Sequence, residues 1–349
     1  METEHLVHAH DARSMGALAD DSIDLVVTSP PYPMIELWDE TFESLDPEVG
    51  DRLDRGDGWG AYARMHATLD QVWDEVTRLL RPGGIACINV GDATRSIDGE
   101  FRRYPNHERV LRALQERGLR PLPDVLWRKP TNRATKFMGS GTLPPNAYVT
   151  LEHEYVLVFR NGGLRSFDDT DRRHESAYFW EERNEWFSDV WTDLTGTLQS
   201  LDGAAEDAAR DRSAAFPFEL PYRLIAMYSV YGDRVLDPFW GTGTTTLAAM
   251  VAGRNSIGYE LDEALIDAFD DHVDEVPAFS RTVNGDRLDR HRSHVTDRRE
   301  RGDEPKYDAR HYDFPVVTRQ ERGIRLYDVT GVDREADSPR RYVTTHDPR

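Results

Sequence analysis

The sequence predicts an α/β fold built on an open, mostly parallel sheet. Three observations lead there. Short β-branched runs alternate along the chain with stretches whose apolar residues recur at the helical period. One run, 85–90, is apolar throughout, as a strand buried on both faces must be. Two other runs stop abruptly in turn-forming residues, Thr28-Ser29-Pro30-Pro31-Tyr32 and Asp237-Pro238-Phe239-Trp240-Gly241-Thr242-Gly243-Thr244. Open α/β sheets hold their ligands at such strand ends.

In chain order, a strand is expected over 5–10 and another over 23–27, ended by the adjacent prolines 30 and 31. Residues 36–60, polar and with four glycines, read as an insertion loop. From Tyr62 a helix follows, with Met65, Leu69, Val72, Trp73, Val76 and Leu79 on its apolar face, until Arg81-Pro82-Gly83-Gly84 stops it. After the 85–90 strand come a helix over about 107–117, strands at 124–127 and 154–159, and a Gly/Pro-rich stretch, 131–146, between those strands. Residues 161–215 read as irregular. A helix opens at Pro221, a good first-turn residue. The strand 235–237, the helix 245–252 and the strand 256–260 then form one unit. Beyond 281 the charge is near balance and apolar residues are sparse, so 281–349 reads as an appended, loosely folded extension.

Composition narrows the function. With 349 residues, 38% hydrophobic and 10% aromatic, the chain can build a sizeable core and is not wholly disordered. No apolar run approaches the ~18 residues of a membrane span, and residues 1–11 lack a signal peptide, so a cytoplasmic protein without a membrane partner is expected. A single cysteine, Cys87, excludes an internal disulfide framework. His5, His8 and His10 alternate along a strand without a Cys or Glu cluster, so no metal site is expected. The formal charge is −21, yet only three of 43 basic residues are lysine: Lys129, Lys136 and Lys306. Abundant carboxylates with almost no lysine point to a halophile's surface, kept hydrated by charge. Such acidity belongs to the solvent and does not exclude a nucleic-acid partner.

Chemistry concentrates in the two strand-end motifs. The glycines of 237–244 allow close backbone approach to a ligand, and Glu260, 17 residues beyond Gly243 at the next strand end, suits a ribose diol. No third fingerprint glycine and no Gly-Lys-Ser/Thr follows, so neither a NAD site nor a phosphate-cradling loop fits. In 28–32 two prolines present a carbonyl and a hydroxyl beside an aromatic ring. That set can accept hydrogen bonds from an exocyclic amine while the ring stacks on a planar base.

Together the motifs resemble the DNA amino-methyltransferases. There Ser/Asn/Asp-Pro-Pro-aromatic is catalytic and Asp-Pro-Phe-X-Gly-X-Gly-Thr binds S-adenosylmethionine. The order here, 29–32 before 237–244, is similar to the β class, and the resemblance runs over about residues 5–265. It implies a circularly permuted Rossmann-like sheet with an inserted target-recognition region: 1–130 the catalytic half, 131–200 the recognition insert, 201–280 the cofactor-binding half, 281–349 the charged extension. It assigns Ser29, Pro30, Pro31 and Tyr32 to catalysis. It assigns Asp237, Phe239, Gly241, Gly243, Thr244, Glu260, Phe216 and Asp11 to S-adenosylmethionine. Ser29 resembles the cytosine-N4 branch; the alternatives are adenine-N6 methylation and a catalytically silent DNA-binding relative. Residues 28–38 are similar to archaeal type II modification methylases reading CTAG, for which a restriction endonuclease encoded nearby would be a partner.

Duplex DNA with a short specific target is the implied substrate, and its contacts are sought in basic residues. Between Arg95 and Lys136 stand eleven basic and five acidic residues. Lys129 and Lys136 are expected on phosphates and Arg133 on a base edge. Cys87, mid-strand and without a basic neighbour, reads as a small buried hydrophobe, which leaves no thiolate for carbon-5 methylation.

Overall fold

The computed structural model describes residues 1–129, 139–194, 216–335 and 339–349. Arg133 and Lys136 lie outside these residues. The strands are β1 Glu2–Ala9, β2 Ile23–Thr28, β3 Leu80–Val90, β4 Ala93–Ile97, β5 Glu100–Tyr104, β6 Arg120–Pro121, β7 Val125–Arg128, β8 His153–Arg160, β9 Val190–Trp191, β10 Arg234–Asp237, β11 Asn255–Glu260, β12 Tyr307–Asp308, β13 Pro315–Val316, β14 Tyr327–Glu335 and β15 Arg340–Pro348. The helices are α1 Asp39–Leu45, α2 Glu48–Asp54, α3 Gly58–Leu79, α4 Asn106–Glu116, α5 Thr170–Glu175, α6 Trp180–Trp186, α7 Glu219–Tyr228, α8 Thr244–Ala252, α9 Glu263–Asp270 and α10 Val276–Glu300. No helix among the described residues is long and apolar enough to cross a membrane.

The main sheet runs β14-β15-β1-β11-β10-β2-β3-β8-β7-β9, with β6 also on β8. From β1 to β3 every pairing is parallel. β2 is buried along its whole length, Asp24 and Thr28 included, as a strand inside a parallel sheet must be. The chain leaves β10 through α8 toward β11 on one side, and leaves β2 through α1–α3 toward β3 on the other. The strand order therefore reverses between β10 and β2, and a crevice opens at their carboxyl ends. Side chains alternate between two cores. Leu25, Val27 and Cys87 face the α7/α8 layer; Val26, Ala86 and Ile88 face α3 and α4.

Three expectations need correction. The supposed loop 36–60 holds α1, α2 and the start of α3, because Phe42 and Val49 are buried anchors spaced among polar residues and the Asp57 side chain caps α3 through Gly60 N. The stretch after 161 contains α5, α6 and β9. The extension 281–349 is not loosely attached: α10 lies against β14, and β15 pairs antiparallel with β1 from Glu2↔Thr345 to Val7↔Arg340. β15 escapes a hydrophobicity reading because two of its three buried residues, Thr344 and His346, are polar. His5 bonds Ser256 Oγ (2.9 Å) and Thr3 Oγ1 (3.0 Å), and Thr3 Oγ1 bonds His346 Nε2 (2.9 Å). Hydrogen bonds replace apolar contact there.

Burial drives the His5 imidazole from 6.5 to about 3 and that of His346 to about 4. The unfolded chain then binds more protons than the folded one below about pH 6.5, so this part of the stability is full above that pH and lost as pH falls toward 4. The thermal midpoint should drop between pH 7 and 5, and drop less steeply in a His5→Gln/His346→Gln variant. Equal slopes in the two proteins would contradict this account.

Candidate active site

β2 and β10 lie side by side, with Val235 opposite Leu25 and Leu236 opposite Val26, so their following loops leave the sheet together. Thr28 Oγ1 donates to Asp237 Oδ1 at 2.6 Å, Phe239 N donates to the same oxygen at 3.1 Å, and Thr245 Oγ1 donates to Oδ2 at 2.7 Å. Burial raises this carboxyl to about 6. Asp237 thus braces the two loops against each other while lining the cleft between them.

The Ser29–Tyr32 loop is held from behind. Asn106, fully buried at the start of α4, donates to Pro33 O and Gly91 O, each at 3.0 Å. Both amide hydrogens being spent, its Oδ1 must accept from His66 Nε2 at 3.1 Å, which fixes that imidazole's tautomer. Met34 takes φ 68°, a conformation uncommon for a non-glycine residue, with its side chain buried. The Tyr32 ring lies over Gly91, where an added Cβ would stand 3.0 Å from Cε2.

The hydroxyl end of Tyr32 is equally fixed. It donates to Glu154 Oε2 at 2.8 Å, accepts from Asn89 Nδ2 at 2.9 Å, and lies 3.0 Å from Ser29 Oγ. Asn89 also donates to Glu154 Oε2 at 2.7 Å, and Lys129 Nζ sits 2.9 Å from Glu154 Oε1. Burial first, and then the Glu154 charge, holds the Tyr32 phenol well above its ordinary pKa.

Across the crevice, Glu260 closes β11. Its Oε2 accepts from Gly241 N (2.8 Å), and its Oε1 accepts from Leu261 N (2.8 Å) and Asp262 N (2.9 Å). Gly241 and Gly243 have φ of +57° and +78°, which a side chain resists. Gly241, which lines the cleft, has open space beside it, whereas a Cβ on Gly243 would meet Trp240 at 2.6 Å and Phe269 at 2.7 Å. A Cβ on Gly258 would overlap the same indole. Trp240 itself is anchored by Nε1 on Thr246 Oγ1 at 2.8 Å. Asp11 forms a turn, accepting from Arg13 N, and an ion pair with Arg13. Asp11, the Ser29–Tyr32 loop, Phe216, Asp237, Phe239, Gly241, Thr244 and Glu260 all line one cleft of about 650 Å³, with Gly243 behind its wall.

A proline loop and a glycine turn, far apart in sequence, thus share one cleft. The family model described as DNA methylase, for the N6/N4 enzymes, matches residues 23–271. The chain belongs to the N6/N4 DNA methylase family. Type II methyltransferase M.MthZI of Methanothermobacter thermautotrophicus is 52% identical over 331 residues, 94% of this chain and 91% of that protein. Type II methyltransferase M.MjaI of Methanocaldococcus jannaschii is 49% identical over 275 residues, 75% of this chain and 89% of that protein. Among solved structures, a Thermus thermophilus protein described as a DNA modification methylase, complexed with S-adenosyl-L-methionine, matches with a TM-score of 0.56. Its identity is 30%, over 75% of this chain and 92% of its own. The order of the two motifs makes this methylase a β-class DNA amino-methyltransferase.

The basic stripe of the methylase differs from expectation. Arg95, Arg103, Arg109, Arg117 and Arg128 each pair with a carboxylate. Lys129, expected on a phosphate, is drawn to Glu154 beside the catalytic loop. The acidic composition supplies each of these cations with a partner. Sequence reasoning missed Asn106, Trp240 and Gly258; the Asn-His start of α4 and the Trp inside a glycine turn were the available signals.

Thr28→Val keeps the shape of the strand end but leaves the Asp237 carboxylate short of a donor. It should cost about 1–3 kcal/mol in denaturant unfolding. Gly258→Ala should cost about as much by overpacking Trp240. A wild-type midpoint for Thr28→Val would mean that Asp237 does not brace the two loops.

Proposed function

We propose that this methylase transfers a methyl group to the exocyclic N4 amine of a cytosine rotated out of duplex DNA. The observation that carries the reading is Ser29, heading a Ser-Pro-Pro-Tyr loop at the mouth of the cleft that Asp237–Thr244 closes from the other side. S-adenosylmethionine is the methyl donor and supplies an electrophilic sulfonium methyl. The cleft suits it in size. Glu260 keeps acceptor capacity for a ribose diol beyond its three backbone amides, and Phe216 and the exposed Leu261 offer apolar flanks to a purine. Asp11 stands at the adenine end.

The work of the chain is positional. The target amine is a poor nucleophile because its lone pair is delocalised into the ring. Ser29 Oγ and the Pro30 carbonyl accept its two hydrogens, which favours a pyramidal nitrogen with its lone pair turned toward the methyl. The Tyr32 ring, held over Gly91, stacks on the extruded base. A thiolate route to carbon 5 is not available from Cys87, which is buried in the core with its thiol pushed up by burial. Arg133 and Lys136 supply DNA contacts. CTAG is the target suggested by residues 28–38, and the type II relatives support a restriction–modification setting with an endonuclease of the same specificity. The acidic surface supports a salty cytoplasm.

Nucleosides from DNA methylated by the protein should contain N4-methylcytosine; N6-methyladenine would overturn the choice of base. Methylome sequencing of an expressing host reads the target directly. Ser29→Ala and Tyr32→Ala should each lower the rate on the order of 10²-fold while calorimetric affinity for S-adenosylmethionine stays near wild type. Wild-type turnover by Tyr32→Ala would remove the catalytic loop from the mechanism.

A further inference from the structure

We infer that Glu154 is a positioning residue that sets the proton polarity of the catalytic loop, so that Ser29 offers the target amine only lone pairs. This rests on the amine-methylation reading above. A serine hydroxyl is both donor and acceptor, and the two hydrogens of an exocyclic amine need acceptors. A freely rotating Ser29 would spend part of its time presenting its own proton to the amine. The hydrogen-bond accounting removes that freedom.

Glu154 Oε2 is an acceptor, so the Tyr32 hydroxyl proton lies on the 2.8 Å line to it. One lone pair of Tyr32 Oη takes the Asn89 amide at 2.9 Å. The other faces Ser29 Oγ at 3.0 Å, and with the tyrosine proton already committed that contact can be filled only by the serine proton. The chain therefore runs Ser29 to Tyr32 to Glu154; Asn89 Nδ2 approaches Ser29 Oγ only at 3.5 Å, and a lone pair of Ser29 is left for the cleft it lines. The opposite placement of the Asn89 amide would set its oxygen against Glu154 Oε2, 2.7 Å away, so its orientation is fixed as well. Lys129 on Oε1 anchors the far side of the carboxylate. In this arrangement a serine acts as an acceptor-only group, and the proton-bearing end of the Tyr32 ring is immobilised by the same bonds.

Replacing the acceptor tests this. In Glu154→Gln, Lys129 draws the amide oxygen, so the NH₂ faces both Tyr32 and Asn89, and Asn89 turns its own oxygen to it. The Tyr32 proton is then no longer held on one line but shared between Asn89 and Ser29, and Ser29 is free to turn its own toward the amine. Tyr32→Phe keeps the stacking ring but removes the relay. Both variants and their combination would be compared with wild type for kcat at saturating duplex and S-adenosylmethionine, KM for DNA, calorimetric cofactor affinity and thermal midpoint. Each single variant is expected to lower kcat on the order of 10- to 100-fold, with DNA KM and cofactor affinity within about threefold of wild type. The double variant should be no slower than the worse single one, because both break one chain. A Glu154→Gln kcat within twofold of wild type, multiplicative losses in the double variant, or losses that track cofactor or DNA affinity would each overturn the inference. Absence of methylation by the wild-type protein would instead overturn the proposed function.

Discussion

Strands β2 and β10 pair in parallel although their ends, Thr28 and Asp237, are 209 residues apart in the chain, and one short hydrogen bond joins those ends. The loop proposed to receive the base and the loop proposed to receive the methyl donor are mounted on that joint. Because the chain departs from the two strands in opposite directions, a crevice opens between them at their carboxyl ends, and the cleft is a product of connectivity. A buried carboxylate with three donors is an exacting way to make such a joint, since a missing donor leaves charge unpaired in a medium that does not tolerate it. It fixes the spacing of the two loops whatever lies between them in sequence.

Around this joint the catalytic loop is restrained at every point. Asn106 ties its exit to the turn after β3, Gly91 makes room for the Tyr32 ring, and Glu154 with Asn89 holds the phenol. Chemistry that depends on one lone pair meeting one methyl carbon gains from such preorganisation, because freedom left in the loop would have to be removed on each turnover. The opposite wall follows the same plan: Trp240, Gly243 and Gly258 fit as one unit, and Glu260 stitches the glycine turn to the end of β11.

Much of this was legible in the sequence. The parallel strands announced themselves by apolar runs, and both motifs by residues whose backbone demands are distinctive. What escaped reading was polar. β15 pairs with β1 through a face of Thr344, His346, Thr3 and His5, which no hydrophobic period reveals. Asn106 looks like any helix-start asparagine until its three partners, drawn from three segments, are seen together. Lys129 looked like a free phosphate contact because its carboxylate stands 25 residues away on the neighbouring strand. The supporting bonds of Asp237 and the packing of Gly243 against Trp240 and Phe269 were not legible either, because their partners are other parts of the protein and spacing along a chain does not reveal them.

The paired arginines have a consequence for how a polyanion is met. Each guanidinium from Arg95 to Arg128 that holds a neighbouring carboxylate carries its own tethered counter-anion. A phosphate approaching it displaces that carboxylate, which swings aside but cannot diffuse away. Wherever such a pair meets DNA, the net positive charge it brings is smaller than a count of arginines implies, and fewer cations would leave the double helix on contact. An encounter built from such exchanges is weak at an arbitrary sequence and shifts little with ionic strength, which leaves discrimination to the groups that touch the bases.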